Sequence, residues 1–267
     1  GNSVQTLFKI VPESEIEQIR CLAFAYTGRE SKESMDRGSL EKLRNHRWDL
    51  PGSRKEVHSI AEFVHGNFYT GNQAIENNFK AEASNYNILH LALHGEINEE
   101  QPQHSRLIFG DTNLPGPDDN LLYNHEIFNM NLPAQLAVLS ACDTGAGRIV
   151  SGEGIMSIGS AFQYAGTKCL LLTRWSTSDE ITPGLIRIFY KELMNGATKS
   201  SALQQAKLSY LESANIHNSH PYYWGGFYVL GKNHPLISKS QVVWLYPLVS
   251  LGLAISGFVL LGRVRKK

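Results

Sequence analysis

The sequence predicts an α/β fold in which helices sandwich a doubly wound, mostly parallel β-sheet. Short apolar runs such as Leu136–Leu139 contain no polar position, which is typical of strands buried on both faces of a parallel sheet. These runs alternate with segments of helical periodicity. The order strand, helix, strand, helix, strand favours a layered α/β sandwich with right-handed connections.

Composition limits the classes of function. A chain of 267 residues, 42% of them hydrophobic, is long enough to bury one good core and to carry an appendage. The formal net charge is zero and no basic stripe is interleaved with aromatic residues, so we expect no direct binding of nucleic acid. Three cysteines cannot form a closed disulfide framework.

The first third of the chain is predicted to contain a connector followed by strands and helices of the structural framework. Residues 1–20 are weakly patterned, and because Gly1 is not a native initiator we expect an upstream region. Cys21–Tyr26 is the first predicted strand, and a polar loop follows it up to Leu50. In the next predicted helix Ser53 is the expected N-cap and Glu56 its capping-box partner.

Further scaffold elements follow in alternation. The helix after Ser53 presents an apolar face, Phe68–Thr70 is a short strand and Gln73–Glu82 is a second helix. The residues of that apolar face are Val57, Ile60, Ala61 and Val64.

The strand Ile88–His94 carries two histidines with different expected roles. Alternation places His90, Ala92 and His94 on one face of the strand. We interpret His90 as a hydrogen-bonded core residue. His94 is the last residue of the predicted strand, and Gly95 after it allows close approach of a ligand to the backbone.

The segment Glu96–Asn120 is long and rich in Pro, Gly, Asn and Asp. It contains a predicted hairpin strand at Arg106–Phe109, and Tyr123–Phe128 reads as a short helix. The segment is either one wall of a cleft or a solvated surface loop.

Cys142 lies where the apolar run Leu136–Leu139 gives way to small residues, and His94 precedes it by 48 positions. Ligands of open α/β sheets bind beyond the carboxyl ends of such strands. A thiolate there can attack a carbonyl, an imidazole can move the proton, and backbone N–H groups can hold the oxyanion. Cys21 and Cys169 lie inside apolar runs, where inert thiols are common.

The pair Gly152 and Gly154 resembles part of a dinucleotide-binding fingerprint, but the third glycine is replaced by Ser157, so this signal is weak. We interpret the glycines instead as residues that allow close packing at the start of a helix predicted over Gly154–Ala165. Lys168–Thr173 is the next predicted buried strand.

The last elements are two helices and a strand. Pro183 opens a helix through Leu193 for which Asp179 is one candidate cap. Thr198–Ala214 is a second amphipathic helix, and His220–Leu230 is an aromatic strand that we interpret as core.

Several spaced motifs together resemble the bacterial CHAT domain, a relative of caspases and separases. The motifs are Leu89–Gly95, Ser140–Gly145, Gly152–Gly154, Trp175 with Asp179 and Thr182, His220–Trp224 and Phe227. Caspases place their histidine about 50 residues before a Gln-Ala-Cys-x-Gly signature; here the order and gap agree, while the motif is Ser-Ala-Cys-Asp-Thr-Gly. The resemblance runs from about Leu50 to Gly231.

The resemblance implies a caspase-like peptidase domain over residues 21–236, often preceded by tetratricopeptide or other helical repeats. It implies that Cys142 is the nucleophile, His94 the general base, and the N–H groups of Gly95 and Cys142 the oxyanion donors. The candidate substrate-pocket residues are Asp143, Arg174, Trp175 and Asp179. Asp179 would attract a basic P1 side chain, whereas Arg174 would attract an acidic one or neutralise Asp179.

No metal or cofactor is expected, because the sequence lacks the clusters of closely spaced His and Cys that zinc needs. The partners expected are a protein or peptide substrate and an upstream regulatory region or partner protein.

The C-terminal tail predicts a membrane anchor. Val242–Leu261 is 20 residues without a charge, long enough to cross about 30 Å of hydrocarbon, and the basic tail 262–267 follows it. We therefore expect one C-terminal transmembrane helix and a membrane localisation, with the side of the membrane unresolved because Lys232 and Lys239 flank the other end.

The sequence thus predicts a membrane-anchored CHAT-type cysteine endopeptidase with a Cys142–His94 dyad. One alternative is a catalytically silent, peptidase-like interaction or signalling module. The other is a nucleotide-binding or small-molecule-binding domain, suggested by Gly152 and Gly154 and opposed by the missing third glycine.

Overall fold

A computed structural model of the chain describes residues 19–26, 50–98, 100–109, 119–140, 148–150, 154–175 and 178–237. Its strands are β1 (Arg20–Ala25), β2 (His65–Tyr69), β3 (Ile88–Ala92), β4 (His94–Glu96), β5 (Arg106–Ile108), β6 (Leu121–Tyr123), β7 (Leu136–Leu139), β8 (Arg148–Val150), β9 (Gly154–Met156), β10 (Cys169–Thr173) and β11 (Phe227–Gly231). Its α-helices are α1 (Pro51–Ile60), α2 (Glu76–Glu82), α3 (Asn124–Phe128), α4 (Ile158–Tyr164), α5 (Thr182–Met194) and α6 (Lys199–Ser213).

A six-stranded sheet in the order β11-β10-β7-β3-β1-β2 forms the centre of the fold. Its neighbouring strands run parallel except β10 and β11, which pair antiparallel. Strands β3 and β7 are buried along their whole length, as the apolar run of β7 predicts and although β3 contains His90.

Helices cover both faces of this sheet and divide the core in two. On one face α2, α3 and α4 bury Phe79, Ile127 and Phe162 against the sheet. On the other face α1, α5 and α6 bury Val57, Leu185 and Ala202. The predicted α/β sandwich with a mostly parallel sheet is therefore confirmed.

A separate three-stranded antiparallel sheet, β4-β5-β6, follows directly on β3. The strand expected over Ile88–His94 is interrupted at Leu93, and His94 begins β4 rather than ending β3. The chain changes partner there, because β3 pairs parallel with β1 and β7 whereas β4 pairs antiparallel with β5.

Two elements, one helix and one strand, begin later in the chain than the sequence predicts. The helix expected from Gly154 begins at Ile158, since Gly154–Met156 pairs antiparallel with Arg148–Val150 and the Ser157 hydroxyl accepts a hydrogen bond from the Ser160 N–H at the new helix start. The strand expected from His220 begins at Phe227, because a run of turns precedes it.

The predicted transmembrane helix and membrane localisation are wrong on this structure. In the part of the chain that the structure describes, no helix is long and apolar enough to cross a membrane. The longest described helix, α6, has 15 residues, or about 22 Å at the rise of an α-helix, and a bilayer core is about 30 Å thick. Residues 242–261, the basic tail 262–267 and most of the connector 1–20 lie outside the described residues.

Candidate active site

The central strands that precede the two predicted catalytic positions end side by side in the sheet. Leu91 of β3 pairs with Leu139 of β7, and Leu139 pairs with Leu172 of β10. Parallel neighbours lie about 4.8 Å apart, so the chain leaves these three strands side by side. His94, Cys142 and Trp175 each follow their paired leucine by three residues.

His94 is a half-buried residue that begins β4. It lies opposite Ile108, and its imidazole packs against the ring of Tyr26 in a T-shaped arrangement, with 4.4 Å between ring centroids and an interplanar angle of 76°. Gly95, the predicted oxyanion donor, lies next in β4 opposite Leu107.

Cys142 and Asp143 lie outside the described residues, which resume at Arg148 after Ser140. The structure therefore describes strand β7, which leads to the cysteine, and the histidine that follows the neighbouring strand β3. The predicted pocket position Asp143 stays a prediction.

Arg174 and Trp175 leave the carboxyl end of β10. The guanidinium carbon of Arg174 lies 5.7 Å from the centre of the Tyr228 ring. Trp175 donates a hydrogen bond of 2.8 Å from Nε1 to the Tyr222 carbonyl and stacks on the Tyr222 ring. A Cβ atom added at Gly226 would approach the Trp175 ring to 3.0 Å. The absence of a side chain at Gly226 therefore allows the indole to pack closely against the backbone.

Asp179, a predicted pocket residue and candidate helix cap, contacts the start of α1. Its Oδ2 accepts a hydrogen bond of 2.9 Å from the Gly52 N–H in the first turn of α1. A carboxylate at a helix N-terminus is stabilised by the free N–H groups and the helix dipole. Asp179 therefore supports the start of α1 rather than that of its own helix α5, which has no side-chain cap.

The capping box predicted for α1 does not form. Leu50 is the N-cap without a side-chain bond, and the Ser53 hydroxyl lies 3.0 Å from the Tyr26 carbonyl and 2.7 Å from the Leu50 carbonyl. Glu56 turns inward to the sheet, where its Oε1 lies 3.0 Å from His90 Nε2. The signal for this was helical spacing, since Glu56 shares the buried face of Val57 and Ile60.

His90 is a core residue, as predicted. It is fully buried, and besides Glu56 its Nδ1 lies 3.1 Å from the Tyr190 hydroxyl of α5. Burial raises the pKa of the Tyr190 hydroxyl and of the neighbouring Cys21 thiol, so both stay protonated at neutral pH.

A cavity of about 610 Å³ lies beside β4. Across the antiparallel sheet Glu96 pairs with Arg106, and Arg106 with Tyr123. The Arg106 guanidinium is held by Glu96 and, at 2.9 Å, by the Tyr123 hydroxyl. The cavity is lined by Glu96, Ile97, Asn98, His104, Arg106, Tyr123 and His125.

Two described parts of the segment Glu96–Asn120, residues 96–98 and 104–106, contribute to the lining of this cavity. Glu96 lies two residues from His94 along β4, so the two side chains project from one face of the small sheet. Among the residues that the structure describes, no cluster of three or more His, Cys, Asp or Glu is placed to hold a metal ion.

Comparison with curated proteins finds two mammalian relatives. Human tetratricopeptide repeat protein 28 is 29% identical over 132 residues, which is 49% of this chain and 5% of that protein. Its mouse counterpart is 30% identical over 123 residues, 46% of this chain and 5% of that protein. The chain thus corresponds to a small part of the curated relatives it matches.

Comparison with solved structures finds distant likenesses. The crystal structure of the Arg specific cysteine proteinase gingipain R has a TM-score of 0.46 at 12% identity, covering 82% of this chain and 47% of that one. The complex of the Porphyromonas gingivalis RgpB pro- and mature domains has a TM-score of 0.47 at 12% identity, with 82% and 48% covered.

Comparison with protein-family models gives a match over most of the chain. The CHAT domain matches residues 11–232, a span that contains the entire six-stranded sheet, the histidine that begins β4 and the cysteine that follows β7. Because that span is most of the chain, the chain belongs to the CHAT domain family.

Proposed function

We propose that this chain is a cysteine endopeptidase of the CHAT family in which Cys142 and His94 form the catalytic dyad. The observation that carries the proposal is the register of the three central strands, in which Leu91, Leu139 and Leu172 are aligned. A nucleophile and its base must come within hydrogen-bonding reach, and neighbouring parallel strands that end together bring their following residues close.

The dyad acts in two steps. His94 takes the proton of the Cys142 thiol, and the sulfur attacks the peptide carbonyl carbon while the N–H groups of Gly95 and Cys142 stabilise the oxyanion. His94 then gives the proton to the leaving amine, and a thioester remains. Water, deprotonated by His94, hydrolyses that thioester and restores the thiol.

The substrate pocket adjoins the end of β10. Asp179 already accepts a hydrogen bond from Gly52, whereas Arg174 is exposed and has no carboxylate partner among the residues that the structure describes. We therefore infer a preference for an acidic P1 side chain, bound by the Arg174 guanidinium beside the Trp175 ring.

Covalent labelling by peptide acyloxymethyl ketones tests the proposal. Probes with acidic, basic and apolar P1 residues are compared on the wild type, Cys142→Ala and His94→Ala, with intact-mass spectrometry as the readout. We expect labelling to require both residues and to be fastest with the acidic probe. Arg174→Gln should remove that preference and leave the apolar probe unaffected.

The outcomes separate the alternatives. Labelling that survives Cys142→Ala contradicts the dyad. A preference for the basic probe would assign the charge of the pocket to Asp143 instead of Arg174. No labelling of the wild type would favour the catalytically silent interaction module, which is also the class that the repeat-protein names of the mammalian relatives suggest.

A further inference from the structure

We infer that Tyr26 is a positioning residue for His94: its aromatic ring holds the imidazole in the orientation that the dyad requires. This inference rests on the proposed function. Tyr26 lies at the end of β1, next to β3, and nothing in the motifs of the sequence singles it out.

The contact itself is close and directional. The ring centroids of Tyr26 and His94 lie 4.4 Å apart at an interplanar angle of 76°. T-shaped pairs of aromatic rings are attractive because the positive edge of one ring faces the negative face of the other. The contact therefore favours one tilt of the imidazole over the others that its side-chain torsions allow.

Tyr26 can serve as a fixed support because its own backbone is held on both sides. Its N–H donates a hydrogen bond of 2.8 Å to the Ala92 carbonyl, and its carbonyl accepts one of 3.0 Å from the Ser53 hydroxyl. Tyr26 is only 2% exposed. A buried ring tied to β3 and to α1 has little freedom to move away from the histidine.

His94 needs such a support. It is half-buried and lies just after the point at which the chain leaves the large sheet at Leu93 and enters the small one. In dyad and triad enzymes a third group usually orients the base. In this chain the Tyr26 ring fills that role by packing against the imidazole.

Three variants test the inference. Tyr26→Leu removes the ring, Tyr26→Phe keeps it without the hydroxyl, and Tyr164→Leu removes an exposed aromatic ring far along the chain as the matched control. Loss of one aromatic contact should lower kcat about three- to tenfold with KM unchanged, because it disturbs the base and not the substrate pocket. Tyr26→Phe and Tyr164→Leu should retain the wild-type kcat.

A second readout does not depend on catalysis. In a histidine-labelled sample the ring protons of His94, assigned with His94→Gln, are shifted by the ring current of Tyr26. This shift should disappear in Tyr26→Leu and persist in Tyr26→Phe. Ser53→Ala removes the hydrogen bond to the Tyr26 carbonyl without changing either ring, and it should broaden or partly move the same signals. This variant replaces Tyr26→Leu as the test if Tyr26→Leu does not fold.

The inference is overturned if Tyr26→Leu folds with wild-type kcat, or if kcat falls equally in Tyr26→Phe, or if the His94 signals are the same with and without the ring. A failure of the proposed function looks different. In that case Cys142→Ala would not abolish cleavage or labelling, while the ring-current shift of His94 would still respond to Tyr26→Leu.

Discussion

Two histidines on one stretch of chain illustrate how environment decides the role of a residue. His90 is fully buried between Glu56 and Tyr190, so both of its ring nitrogens already have neighbours in the core. His94, four residues later, is half-buried at the edge of the sheet and contacts Tyr26. Removing a partner of a buried polar group costs about 1–3 kcal/mol, so we expect His90 to contribute to stability, whereas His94 is the residue proposed as the general base.

The same reasoning separates the three cysteines. Burial raises the pKa of the Cys21 and Cys169 thiols, so neither forms a thiolate in the folded protein near neutral pH. We expect iodoacetamide at about pH 7.5 to modify Cys142 selectively in the native protein. In denaturant it should modify all three cysteines. Peptide mapping by mass spectrometry reads out each site, and rapid native modification of Cys21 would contradict its buried position.

At the scale of elements, the first turn of α1 joins parts of the chain that are distant in sequence. Its Gly52 N–H binds Asp179 from the segment before α5, and its Ser53 hydroxyl binds the Tyr26 carbonyl at the end of β1. The approach at Gly52 is so close that an added Cβ atom would lie 1.9 Å from the Asp179 carbonyl oxygen. Only glycine fits there without moving one of the two segments.

Gly52→Ala should therefore destabilise the protein by about 1–3 kcal/mol, the usual range for overpacking a well-packed site. Gly184→Ala in α5 is the matched control, because an added Cβ there meets nothing within 4 Å. We expect the control to be stabilising by roughly 0.4–1 kcal/mol, since alanine restricts the unfolded chain. Urea unfolding measures both, and equal stability of the two variants would refute the close approach.

At the scale of the whole molecule, a carboxylate links strand β2 to the segment after helix α2. Glu82 accepts hydrogen bonds from Asn67 at 2.8 Å, Tyr69 at 2.5 Å and Tyr86 at 3.1 Å. Burial alone would raise the pKa of Glu82, but these hydrogen bonds outweigh it and hold the pKa below the ordinary value of 4.5.

Because the folded state holds the pKa of Glu82 below its unfolded value, the stabilisation is complete above about pH 4.5 and is lost as the pH falls through the lower, folded-state pKa. We expect Glu82→Gln to be less stable than the wild type at neutral pH, by about 1 kcal/mol, and to lose less stability on acidification. Acid unfolding followed by circular dichroism measures this. The control is Glu212→Gln, at an exposed position of α6, which should lose stability on acidification as the wild type does. If the stability of Glu82→Gln falls with pH in parallel to that of the wild type, the prediction is contradicted.

The sequence was most informative where local pattern and tertiary environment agree. The run Leu136–Leu139 predicts β7 to the residue, because a strand buried on both faces has to be apolar throughout. It was least informative where distant segments compete for a group. Glu56 fits a capping box by spacing, yet its Oε1 lies 3.0 Å from His90 Nε2, because Glu56 lies on the buried face of α1 that packs on the sheet.

By itself the sequence determined the alternation of strands and helices, the core role of His90 and the family, because periodicity and spaced motifs are local properties of the chain. The tertiary structure alone decided the order β10-β7-β3-β1, the start of β4 at His94, the attachment of Asp179 to Gly52 and the ring of Tyr26 beside His94. Each of these is a contact between segments far apart in sequence. Such contacts depend on which strands become neighbours, and that choice is made by the packing of the whole core.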